Sequence, residues 1–176
     1  MNVIVVDLMR EVVNRMIPAL TKRHLAVYYQ HGHPSEIVET LLELTQNPEL
    51  AKFKYPLLAL FQDFAEEKGQ LNSVAKLKLI LIIAVGSIPN IKAADRYEQT
   101  FRPYLIPIYN EFILQIAKSG FFREDNPERI QHTKIDRVFW GRQGLYGNAG
   151  NVFADHIDAI EINNMILNVK PKICVP

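Results

Sequence analysis

The chain has 176 residues, 48% of them apolar and 22% charged, and its 20 basic and 19 acidic residues leave a net charge of +1. That balance suits a soluble globular chain and gives no global attraction for nucleic acid or an acidic membrane surface. A single cysteine, Cys174, excludes an internal disulfide framework and a multi-cysteine metal site.

The length predicts one domain over residues 1–170, followed by a loose tail at 171–176. The longest charge-free apolar stretch, 79–85, is far short of the roughly 20 residues a membrane-crossing helix needs. Asp7 interrupts the early valines and no basic segment precedes them, so no secretory signal is expected, and a soluble intracellular product is.

Residues 5–24 predict a first helix. Val5, Leu8, Met9, Val12, Val13, Met16, Ile17 and Leu20 recur at steps of three and four, while Pro18 should kink or end it. Residues 25–30, with Val27, Tyr28 and Tyr29, predict a short strand that stops at Gly32 and Pro34. A second helix follows over 35–46, ended by Asn47-Pro48. Residues 55–64 and 74–85 predict a β-hairpin, an arm of about 55–86 with a polar loop between its strands. In the second of these strands one face is apolar throughout: Ala75, Leu77, Leu79, Leu81, Ile83 and Val85. The other face turns from wet (Lys76, Lys78) to dry (Ile80, Ile82). That pattern predicts a strand that projects from the domain and ends in its core.

Residues 93–119 predict the longest helical region. Tyr97, Phe101, Leu105, Ile108, Phe112, Ile113 and Ile116 form its stripe, and Pro103 and Pro107 predict a kink or two pieces. A polar loop (121–132), a short strand (133–140) and a glycine-rich loop (141–151) come next. The last strand spans 157–169. Its apolar parity switches at Asn163-Asn164, which predicts a β-bulge there. Sequential hairpin strands with helices grouped between them give an α+β fold: a largely antiparallel, mixed sheet flanked by helices, with a projecting long hairpin.

No constellation carries a strong chemical signal. His31 and His33 are two apart but lack a third ligand at a suitable spacing, so no metal site is assigned. His156 beside Asp155 and Asp158 offers acid–base groups with no nucleophile on a strained turn. Asp158 and Glu161 are expected to face solvent or a neighbouring subunit. The sole tryptophan, Trp140, lies between Arg137 and Arg142, residue types enriched at binding hot spots. The glycine series is not a phosphate loop and carries Leu145, Tyr146 and Asn148, which suits ordering against a partner. No catalytic residue and no cofactor is assigned.

Several segments together resemble the tail-terminator and neck (head–tail completion) proteins of tailed bacteriophages. They are KYPLLALF at 54–61, KLKLILII at 76–83, 97–116 with its PYLIPIY core, HTKIDR at 132–137 with Trp140-Gly141, and DHIDAIEI at 155–162. The resemblance implies a non-enzymatic virion protein that forms a ring, commonly six-fold, at the top of the tail. Such a ring stops tube growth and gives the head connector a surface to dock on, while DNA passes the lumen without specific binding. A ring contact is head-to-tail and needs two different surfaces. The hairpin, with Phe61, Phe64, Lys76 and Lys78, is one candidate. The other is the C-terminal strand region and glycine loop, with Arg137, Trp140, Arg142, Tyr146, Asp158 and Glu161. The rival readings are a non-viral adaptor domain and a small hydrolase-like enzyme using His156 with Asp155 or Asp158.

Overall fold

A computed structural model describes residues 4–62, 64–69, 74–88, 91–141 and 155–171, without the side chains of 139–141. Its chain order is α1 (Val5–Thr21), β1 (Tyr28–Gly32), α2 (Pro34–Gln46), α3 (Pro48–Ala51), β2 (Leu57–Phe61), β3 (Ala65–Lys68) and β4 (Ala75–Gly86). It continues with α4 (Ala93–Arg96), a π-helical stretch (Tyr97–Leu105), α5 (Ile106–Lys118), β5 (Gln131–Gly141) and β6 (His156–Val169). The fold is α+β, as the element order predicts.

The six strands form one open, mixed sheet in the order β1-β2-β4-β6-β5, with β3 also paired to β4. Only β1–β2 is parallel, and the other pairs are antiparallel. The predicted hairpin is therefore real, but its first strand is broken in two: β2 lies along residues 81–84 of β4 and β3 along 75–78. Nothing in the described residues leaves the sheet as an arm. β4 is paired with β6 from Ala75 to Gly86, and Ala75, Leu77 and Leu79 are fully buried.

The two faces of the sheet are covered differently. On the first face, the alternating residues of β4 and Ile160, Ile162, Met165, Leu167 and Val169 of β6 pack against α1, the π-helical stretch and α5 in one core. On the second face, α2 lays Ile37 and Leu41 over Leu57, Ala59, Ile82, Ala84, Ile157 and Ala159. That cover stops halfway. Lys76, Lys78 and Ile80 carry the same parity as Ile82 and Ala84 but lie beyond it. The wet-to-dry switch in the sequence thus marks the limit of α2, not the point where a strand enters the domain.

Local chemistry explains the remaining boundaries. α1 ends one turn after Pro18. His24 adopts φ 57° and the Leu25 N–H reaches back to the Leu20 carbonyl at 2.9 Å, a left-handed helix stop. Ile17, expected on the buried stripe, is 53% exposed, whereas the rest of that stripe, Val5, Leu8, Met9, Val12, Val13, Met16 and Leu20, is buried. Pro103 and Pro107 do not split the long helix. It widens to π-helix through Pro103, resumes as α5 with Pro107 in its first turn, and the Ile106 N–H bonds the Phe101 carbonyl. The predicted bulge is present: Leu79 faces Met165 and Leu81 faces Ile162, so β6 holds one extra residue, and Asn164 adopts φ 52°. That insertion keeps Ile160, Ile162, Met165, Leu167 and Val169 on one face despite their change of parity.

Candidate functional site

The half of the second sheet face that no described residue covers, together with its margin at α2, brings several expected interface residues onto one face. β4 supplies Lys76, Lys78 and Ile80, and β3 supplies Glu67 opposite Lys76. Glu161 of β6 sits beside Ile82 on one side and Ile135 of β5 on the other, at the margin of α2's cover. Arg137 lies one step along β5, opposite Ala159. Lys76, Lys78, Arg137 and Glu161 are therefore on one surface.

The charges on this surface are paired within the chain. Lys78 Nζ lies 2.5 Å and Lys76 Nζ 3.5 Å from the Glu67 carboxylate. The hydrogen bond from Lys78, aided by the charge of Lys76, holds the Glu67 carboxyl below the ordinary glutamate value. Arg137 donates from Nε and Nη2 to Glu161 Oε2, both at 2.7 Å, and Asn163 Nδ2 donates to Glu161 Oε1 at 3.0 Å. Among them Ile80 is 37% exposed. Such a surface offers fixed charges of both signs around an apolar centre, which favours a complementary protein face over a small molecule.

Other expected interface residues lie elsewhere. Phe61 and Phe64 are half-buried: Phe61 packs on the core under α2 and Phe64 on the core of the first face. The backbone of Trp140 pairs with Ile157, but its side chain, Arg142, Tyr146, the rest of the glycine loop and Cys174 lie outside the described residues.

Asp158 corrects the sequence reading. It is fully buried and faces neither solvent nor a neighbour. Arg96 Nη1 lies 3.0 Å from its carboxylate, and the hydroxyls of Thr100 and Ser87 donate to it at 2.9 and 3.0 Å. Arg96 also donates to the carbonyls of Ile91 and Ile88, so one buried cation ties β6, the helix start and the chain after β4 together. Sequence reasoning missed Arg96. The signal was the carboxylate itself, set among Ile157, Ala159 and Ile160, because a charge in a buried strand needs a partner. Thr100, one turn from Arg96, marks the same helix face.

Asp155 has a separate role. It accepts from Lys54 Nζ at 2.6 Å and from the Tyr55 hydroxyl at 2.9 Å, and Lys54 also donates to Thr45 at 2.6 Å. Burial, with the Asp155 charge second, raises the Tyr55 hydroxyl well above its ordinary value and keeps it a donor. Between these two clusters a cleft of about 300 Å³ is lined by Tyr55, Pro56, Ser87, Ile88, Thr100 and Tyr104. His31 contacts Arg10 through Nε2 at 3.1 Å, whereas His33 caps α2, accepting at Nδ1 from the Ser35 N–H. The two histidines are thus committed to different helices. Among the described residues no group of three His, Cys, Asp or Glu side chains is placed to hold a metal, and no helix is long and apolar enough to cross a membrane.

No protein-family model matches the chain, and no curated protein matches it.

Proposed function

We propose that the chain is a structural virion protein of a tailed bacteriophage, a ring-forming tail-terminator or neck subunit that caps the tail tube and joins it to the head connector. The observation that supports this most is the half-face where, among the described residues, nothing covers Lys76, Lys78 and Ile80, with Glu161 and Arg137 on the same face at the margin of α2. An open sheet with one face half bare among the described residues is an incomplete surface, and closure into a ring is a standard way to cover it. Copies meet head-to-tail in a ring, commonly of six, in the virion neck, with tail-tube and connector proteins stacked above and below. The near-neutral charge fits a lumen that passes DNA without holding it, because affinity grows with each phosphate neutralised. The hydrolase-like alternative has less behind it, because Asp158 is held by Arg96, and Asp155 by Lys54 and Tyr55.

Electron microscopy of the purified protein at high concentration, with co-sedimentation against assembled tail tubes, tests the reading. Rings that bind tube ends are expected. A species that stays monomeric at all concentrations and ignores tubes overturns it.

A further inference from the structure

β5 ends the sheet and runs eleven residues, from Gln131 to Gly141. β6 pairs with its inner side, and among the described residues no strand pairs with its outer side. An open edge of this length is a template for another strand, and proteins usually blunt such edges with proline, bulges or charge. β5 contains no proline. Its two register irregularities fall near its ends, between Gln131 and Thr133 and between Arg137 and Trp140. The regular stretch is 133–137, and Ile135 is its centre.

That stretch is complementary to an inverted copy of itself. With a second β5 laid antiparallel and Ile135 opposite Ile135, each Lys134 faces an Asp136 on one side of the ribbon, and each Thr133 faces an Arg137 on the other. Directly opposed residues in an antiparallel pair bring their Cβ atoms to about 4.5–5.5 Å, close enough for opposite charges to attract and like charges to repel. Lys134 and Asp136 already pair within the chain, and the Tyr97 hydroxyl donates to Asp136 at 2.8 Å, which holds the carboxylate on the strand. In the paired ribbon the four charges alternate in sign, and each carboxylate lies between two ammonium groups. Neighbouring registers fail: centring on Lys134 or Asp136 sets like charges face to face, and so does an in-register parallel pairing.

We propose that two copies of this chain associate through β5 in this antiparallel, two-fold register. The contact is isologous and extends the sheet from six strands to twelve. It uses the outer edge of β5 and not the second-face surface proposed for the ring, although Arg137 borders both, and it does not depend on the ring.

A charge-swap experiment tests it. Lys134→Asp and Asp136→Lys proteins are studied by sedimentation velocity across concentration, alone and mixed, with a thermal melt to confirm folding. The wild-type protein is expected to dimerise. Each single variant should dissociate at least about tenfold more readily, because both symmetric contacts become repulsive. An equimolar mixture of the two variants should recover association, since each then meets its opposite. Amide exchange on the wild-type chain gives an independent readout: outward amides of 133–137 should gain protection as concentration rises. Single variants that associate as well as wild type, a mixture that stays dissociated, or β5 amides indifferent to concentration overturn the pairing.

Discussion

The two ends of the sheet's second face are made from the same strands but lie in opposite surroundings. At one end α2 covers Ile82, Ala84, Ile157 and Ala159, and Asp158, alternating to the other face, is sealed against Arg96. At the other end nothing among the described residues covers Lys76 and Lys78, and their charges are balanced by Glu67. Only two residues separate Asp158 from Glu161, yet one carboxylate is fully buried and the other lies on the margin of the open surface. Residue type therefore does not decide a side chain's surroundings here: strand parity puts Asp158 and Glu161 on opposite faces, and on the second face the reach of α2 separates Ile82 from Lys76 and Lys78.

The sharpest way to break this comparison is at the dry end. Asp158→Ala leaves the buried Arg96 guanidinium without its counter-charge, and losing one partner of a buried pair costs about 3–5 kcal/mol. Chemical denaturation should show a loss of that size. A loss under about 1 kcal/mol would mean that water reaches the pair and that this end is not dry.

A pair of variants on one strand comes next. Ile82→Ala empties a fully buried site beneath α2 and should cost about 2–4 kcal/mol. Ile80→Ala, two residues away on the same face but 37% exposed, should cost less than about 1 kcal/mol. Equal losses in urea melts would show that the cover extends past α2.

The boundary between the two ends lies near the β6 bulge, and Asn164 tests it at lower cost. At φ 52° asparagine and glycine are tolerated, whereas a β-branched residue is strained. Asn164→Val should lose about 1–3 kcal/mol, and Asn164→Gly should match or slightly exceed wild type in thermal melts. A harmless valine would mean the bulge can shift along the strand.

These outcomes bear on how much of the molecule was legible in the sequence. The bulge was legible because side-chain parity is a local property: Ile160 and Ile162 against Met165, Leu167 and Val169 cannot share a face without an inserted residue. The α+β class and the helices were legible from periodicity for the same reason. The fate of Lys76 and Lys78 was not. A strand that leaves the domain and a strand whose cover runs out have the same pattern, and only the length and placement of α2 separate them. The Asp158–Arg96 pair joins residues 62 apart in sequence, and no local pattern links them. The candidate surface was legible in part: Lys76, Lys78, Arg137 and Glu161 were named from sequence, but their common face depends on the register of β3, β4, β6 and β5.

The smallest effect is at the wet end and is read by pH. Lys78, with Lys76 behind it, lowers the Glu67 carboxyl in the folded chain, so folding favours its charged form. The resulting stability is therefore present above the ordinary glutamate range, where both states are ionised, and fades as pH falls through the lowered folded value. A carbon-detected titration of Glu67 should give a midpoint below that of an unstructured glutamate. Lys78→Gln should move the midpoint back up more than Lys76→Gln does, because the Lys78 hydrogen bond is the larger cause. High salt should narrow the difference, since exposed charges are screened. A midpoint insensitive to Lys78 would detach Glu67 from the lysines and remove the charge balance by which the open end of the sheet differs from the closed one.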